Sequence, residues 1–251
     1  MSQLPVPGRD TAYVWIGRGV GGRPTPAGRL LRRAGAALLG RAEAEIVVEH
    51  GRDGRPLVAV SGAGVRVELP VSVSRADGVV AVAARAAGPV GVDVEWCRPL
   101  PALALAGRWF APAEAAWLAG RGADGRAHDF LRLWTAKEAV GKALGTGLRD
   151  GGLRRLMPAP DALDGVLRPV PDALDGVLRP PGAARLRVGH PRLGGGLVLA
   201  VAVAADEAVP VRVVSVESDG AVAAARCSAH EAAARSASVE RTSLPVVVRG
   251  N

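Results

Sequence analysis

The sequence predicts an α+β fold, and three observations carry that prediction. Residues 54 to 96 form a succession of short apolar runs broken by turn residues, ending in Val90–Trp96, where apolar and acidic residues alternate with the two-residue period of a strand. Residues 103 to 148 instead space their apolar positions for helix. Beyond them, segments at about 185–188, 197–204 and 211–216 are again apolar, short and rich in valine, as strands are.

The elements follow in order. Arg29 to Ala44 reads as a basic helix ahead of the strand-rich region. In the helical region Asp129 is a candidate N-cap, with Phe130, Leu131, Leu133, Trp134, Val140 and Leu144 at helical apolar positions. Gly145 and Gly147 are stop signals. Leu197–Ala205 is the longest apolar run; it is too short to cross a bilayer and predicts a buried strand. Pro160–Pro169 recurs unvaried as Pro171–Pro180, with turn residues throughout, which suits a duplicated loop segment. From Glu217 to Asn251 the chain becomes Ala- and Ser-rich with mixed charge and is expected to be a mobile tail, with Ala221–Arg235 as a candidate helix. The expected division is residues 1–100, residues 101–216 and the tail 217–251.

Two segments carry chemistry. In Gly91-Val92-Asp93-Val94-Glu95, strand geometry puts Asp93 and Glu95 on one face and the valines on the other. Two like charges on one face repel, and a hard divalent cation relieves that repulsion. A polar strand face turned to water would explain the same residues. In Trp134-Thr135-Ala136-Lys137-Glu138-Ala139-Val140-Gly141-Lys142-Ala143-Leu144-Gly145, helical spacing groups Trp134, Lys137, Glu138, Gly141 and Lys142 on one broad face. Gly141 weakens the helix, so a close neighbour or ligand is expected there. A plain Glu138–Lys142 surface pair is the simpler explanation of that face.

Taken together, the two segments resemble the 4'-phosphopantetheinyl transferase superfamily in its larger, surfactin-synthetase-activating type. Its pattern is a G-[IV]-D-[IV]-E strand followed by a W-[ST]-x-K-E-[AS]-x-x-K-x-x-G helix, and both stand intact at Gly91–Glu95 and Trp134–Gly145. Between them, Arg108-Trp109-Phe110-Ala111-Pro112-Ala113-Glu114 looks like the family's aromatic-Phe-x-x-x-Glu element. Gly54-Arg55-Pro56 matches its G-[KR]-P turn, and Pro70–Arg75 falls where the family has F-N-L-S-H-S. The resemblance extends over roughly residues 29 to 216; the paired strand and helix motifs are its specific part. One departure is Arg75 in place of the usual His, which in the family contacts the 3'-phosphate of coenzyme A. Arginine keeps that role chemically, as a permanent cation with a two-pronged phosphate grip. Ser72 stands at the Asn position and keeps a polar side chain.

The resemblance implies two similar α+β halves related by a pseudo-twofold axis, with coenzyme A bound between them. It implies Mg²⁺ on Asp93, Glu95 and Glu138, and coenzyme A contacts from Arg29, Arg55, Ser74, Arg75, Asp93, Lys137 and Lys142. It further implies attack by a carrier-protein serine on the pantetheine-bearing phosphorus, releasing 3',5'-adenosine bisphosphate. Glu138 and Lys142 are the catalytic candidates: Lys142 would hold the diphosphate oxygens, and either Glu138 or a metal-bound water would deprotonate the serine.

Composition fits this outline. The 49% apolar content supplies a core, and a net charge of +8 predicts attraction to an acidic partner. The family's acidic apo carrier proteins are such a partner. Nucleic acid is the generic alternative, as a Mg²⁺-dependent nuclease or a non-catalytic binding protein. Aromatics at 3% argue against a base-stacking surface, and the helical spacing of Glu138 and Lys142 differs from the strand-borne E-x-K of many nucleases. Cys97 and Cys227 make no disulfide framework, and no basic-apolar leader occupies Met1–Gly22. His50, His128, His190 and His230 are scattered and are expected on surfaces and loops. The expectation is a cytoplasmic monomer that binds neither membrane nor nucleic acid.

Overall fold

The computed structural model describes residues 11–19, 26–51, 54–62, 65–149, 151–160, 167–170, 185–207, 209–216 and 246–248. They form an α+β fold in stacked layers. Strand β1 (Ala12–Arg18) was not anticipated, yet it is central to the first sheet. Its two faces explain why. Val14 and Ile16 enter one core, while Tyr13 and Trp15 enter another. A strand buried on both sides reads as a continuous apolar run without alternation.

Helix α1 (Ala27–Leu39) and the antiparallel meander β2 (Ile46–His50), β3 (Pro56–Gly62) and β4 (Val65–Leu69) cover one face of that sheet. Leu30, Leu31 and Ala34 of α1 meet Ile46, Val58, Leu69, Trp15 and Val82 there. Strands β5 (Val71–Ala76) and β6 (Val79–Arg85) complete the sheet on one side of β1. On its other side lies β11 (Val211–Val216), parallel to β1, and then β12 (Val246–Val248), parallel to β11. β12 falls within the segment expected to be a mobile tail; the rest of 217–251 lies outside the described residues. So does most of the Pro160–Pro180 duplication, apart from Pro160 and Leu167–Val170.

The second sheet is antiparallel, in the order β7 (Val90–Trp96), β10 (Leu197–Ala204), β9 (Leu186–Gly189), β8 (Arg168–Pro169). Val92, Val94, Leu199 and Val201 face the first sheet. Val198, Ala200 and Ala202 face the helices α2 (Ala102–Trp109), α3 (Pro112–Ala119) and α4 (Ala123–Leu144). The sheets therefore do not divide the chain at residue 100. β7 comes before that point but pairs with β10. β11 comes late but returns to β1.

Helix α4 is the longest helix described, and it lies against β7 and β10 through small residues. Ala136, Ala139 and Ala143 meet Ala200 and Ala202. A β-carbon on Gly91 would stand 1.9 Å from the Ala139 carbonyl oxygen. The abundant alanine is thus a close-packing device, which lets a helix backbone lie nearly on the strand. The helix begins six residues before the expected N-cap. Gly122 is its N-cap, and Asp129 is buried within it, 2.8 Å from Arg121 Nε. Its end is as expected: Gly145 is the left-handed C-cap at φ 80°, and the Thr146 and Gly147 amides donate to the Gly141 carbonyl.

Candidate active site

Asp93 and Lys142 are the centre of the site. β7 places Asp93 on the face that α4 covers, and in the last turn of α4 Lys142 reaches back across that contact. Its ammonium donates to Asp93 Oδ1 at 2.7 Å and to the Val92 carbonyl at 3.1 Å. Asp93 is 5% exposed and Lys142 is half-buried. The strand face read as polar is therefore covered by a helix. Burial pushes the Asp93 carboxyl above the usual range, with the Lys142 ammonium and the Ser74 hydroxyl opposing it.

Glu95 and Glu138 complete the acidic group. Each sits above the ordinary carboxylate range, first through burial and then through the charge of Asp93. Glu138 also feels Glu95, so the three carboxylates repel one another across the β7–α4 seam. They are not drawn into a finished cage: among the described residues no three His, Cys, Asp or Glu side chains are grouped closely enough to hold a metal. What the structure does supply is one buried ligand atom. Among the described residues Asp93 Oδ2 has no hydrogen-bond partner. A buried, unpartnered carboxylate oxygen beside two more carboxylates is a donor set for a hard cation.

Lys142 also lines a cavity of about 980 Å³ between α1, the β2–β4 meander, β5 and the turn after α4. Gly28, Leu31, His50, Arg55, Ser72, Arg75 and Gly145–Arg149 border it. Among the described residues its charged lining is four cations, Arg55, Arg75, Lys142 and Arg149, against one carboxylate, Glu68. Such a balance suits a polyanion. Arg55 lies across the end of α4, where a β-carbon on Gly145 would come within 2.0 Å of its guanidinium. Arg149 was missed in the sequence, since it follows the helix motif in a stretch with no pattern of its own.

Three of the expected coenzyme A contacts lie away from the described cavity lining. Arg29 is exposed on α1 and does not line the cavity, whereas Ala27, Gly28 and Leu31 of the same helix do. Ser74 does not line it either; it is buried against Asp93. Lys137 does not stand beside Lys142. It is 0% exposed, with its ammonium 2.9 and 2.7 Å from the two carboxylate oxygens of Glu114 and over the Phe110 ring. Residues 137 and 142 are five apart, which on a helix turns them well away from each other. The close neighbour expected at Gly141 is the turn after α4: a β-carbon there would stand 2.0 Å from the Gly147 carbonyl oxygen. Among the histidines, His190 is buried, with Nε2 2.9 Å from the Arg132 carbonyl oxygen.

Glu114 is the residue whose function the motif left unstated. Besides Lys137 it accepts the Ala111 amide at 3.3 Å and the Met157 amide at 3.0 Å. Lys137 in turn donates to the Arg155 carbonyl. The pair thereby ties the segment after α4, whose first residues line the cavity, to α3 and α4.

Comparison with known proteins gives two matches. Residues 89–163 match the family model described as the 4'-phosphopantetheinyl transferase superfamily. A protein of Synechocystis sp. that carries the provisional name 4'-phosphopantetheinyl transferase is 44% identical over 72 residues, 28% of this chain and 29% of the relative. The chain thus matches less than a third of that relative's length. The matched segment holds β7, α4 and every residue of the acidic site, and over that segment the chain is similar to the 4'-phosphopantetheinyl transferase superfamily.

Proposed function

We propose that this protein transfers the 4'-phosphopantetheine arm of coenzyme A to a serine of an apo carrier protein. The observation that carries the reading is the double position of Lys142. One ammonium lines the cationic cavity and pairs with the buried Asp93 of the acidic seam. A diphosphate whose nucleotide end lies among Arg55, Arg75 and Arg149 would bring its bridging oxygens to that ammonium.

In the reaction the serine Oγ forms a bond to the phosphorus bearing the pantetheine. The bond from that phosphorus to the bridging oxygen breaks, and 3',5'-adenosine bisphosphate leaves with the electron pair. Lys142 stabilises the charge gathering on the leaving phosphate. The serine proton needs an acceptor near neutral pH, and Glu138 suits it, because burial and its acidic neighbours raise its proton affinity. The donor set fits Mg²⁺, and Asp93, Glu95 and Glu138 would hold it. Mg²⁺ ordinarily takes one or two carboxylates and completes its shell with phosphates and water, so an unfinished cage is consistent with it. When bound, it would neutralise diphosphate charge.

Several finer points belong to the same proposal. The type would be the surfactin-synthetase-activating one, which the Gly91–Glu95 and Trp134–Gly145 motifs resemble. The carrier would be acidic, since this chain has a net charge of +8. No described helix is long and apolar enough to cross a membrane.

The test is to incubate the protein with Mg²⁺, coenzyme A and purified apo carriers of the fatty-acid, polyketide and peptide-synthetase kinds, and to weigh the carriers. A mass gain of one phosphopantetheine arm on serine is expected. Coenzyme A binding without modification of any carrier would refute the enzyme reading.

A further inference from the structure

β5 and β7 are the facing edge strands of the two sheets, yet no ladder joins them. Their seam is made by serine hydroxyls. β5 alternates as Val71, Ser72, Val73, Ser74, and its valines pack toward α1 and the meander while both serines are buried toward β7. Ser72 Oγ accepts the Val92 amide at 3.1 Å, and Ser74 Oγ accepts the Val94 amide at 3.3 Å. Two edge amides of β7 are thereby satisfied by side chains.

Ser74 does more than Ser72. Its hydroxyl donates to Asp93 Oδ1 at 2.7 Å, the oxygen that also takes Lys142. Both side-chain partners of Asp93 thus fall on one oxygen, and among the described residues Oδ2 has no hydrogen-bond partner. A serine hydroxyl has one proton to give. Spent on Asp93, it is not available to a phosphate, and Ser74 does not border the cavity.

From this geometry we infer that Ser74 is a positioning residue that acts through Asp93. Anchored to the β7 amide, it holds Asp93 in one orientation, confines the side-chain contacts to Oδ1 and leaves Oδ2 as the ligand atom for the cation. The inference rests on the transferase reading above and deepens it. A hydroxyl that orients a metal ligand typically changes metal affinity 10- to 100-fold when removed.

The experiment uses the full chain with Mn²⁺ as the probe. Mn²⁺ binding is read from the free-ion paramagnetic resonance signal, with coenzyme A present and no carrier. Coenzyme A binding is measured separately by calorimetry in excess chelator, and thermal melting reports folding. Ser74→Ala is expected to weaken Mn²⁺ about 10-fold or more while metal-free coenzyme A affinity stays within about twofold. Ser74→Thr keeps the hydroxyl on a strand and is expected to recover most of the Mn²⁺ affinity. Wild-type Mn²⁺ affinity in Ser74→Ala overturns the inference, as does equal loss in both variants, which would mean packing alone. Weaker metal-free coenzyme A binding with Mn²⁺ unchanged would make Ser74 a coenzyme A contact instead. Failure of the wild-type chain to bind coenzyme A would overturn the transferase reading itself and is visible before any variant is made.

Discussion

Single residues in the acidic seam carry an electrostatic cost to stability. Asp93, Glu95 and Glu138 all have raised proton affinities, with burial as the first cause. The sign of the consequence follows. The folded protein keeps protons that the unfolded chain releases in the ordinary carboxylate range. Stability from this site is therefore full below that range and falls as pH rises through the raised values. Glu138→Gln should raise the melting temperature relative to wild type at pH 7.5, and the difference should vanish near pH 4; a variant less stable at pH 7.5 would count against mutual repulsion. The same variant, and Asp93→Ala, should abolish transfer in the carrier mass assay at saturating Mg²⁺. Arg75 gives a separate test. If it grips the 3'-phosphate, Arg75→Ala should raise the apparent coenzyme A constant by about 1.5–3 kcal/mol in binding terms, and should matter much less for dephospho-coenzyme A. Equal losses on both substrates would remove that role.

At the scale of elements, the contact of β7 with α4 sets the distance between Asp93 and Lys142. Gly91 permits it, because any β-carbon there meets the backbone of α4. Gly91→Ala should force strand and helix apart, lowering both stability and turnover; calorimetry and the carrier assay would show the two falling together. Glu114 and Lys137 make the second fastening. Breaking a buried ion pair by removing one partner costs about 3–5 kcal/mol, because the other charge is left without compensation. Lys137→Met should therefore destabilise by that order in a denaturant titration. A near-neutral result would show that α3 and the segment after α4 are held by their apolar contacts alone.

Across the whole molecule, the cavity and the acidic seam draw on both sheets. β5 and α1 come from one layer set, β7 and α4 from the other; Ser72 and Ser74 of β5 bond across to β7, and Lys142 of α4 lines the cavity beside α1 and β5. The net charge of +8 acts at this scale too. Steered encounter with an acidic carrier is screened over a Debye length of about 8 Å at physiological salt, so the transfer rate at low carrier concentration should fall as salt is added. An unchanged rate up to about 0.5 M salt, well past that screening range, would mean that bulk charge has no part in docking.

The sequence by itself determined the α+β class, the late strands β9, β10 and β11, the end of α4 at Gly145, and the pairing of an acidic strand with a lysine-bearing helix. Each of these is written in local periodicity or in a short motif, so neighbours in sequence suffice to read it. Tertiary structure alone decided which of those residues meet. Lys137 and Lys142 share a motif, yet one is sealed against Glu114 and the other faces Asp93, because a five-residue step changes the helix face and only packing says what lies on each side. Ser74 belongs to Asp93, and Arg149 to the cavity, through contacts between separate strands and turns. Strand β1 stayed hidden for a related reason. Buried on both faces, it shows no alternation, and its partners β6 and β11 lie about 60 and 200 residues further along the chain.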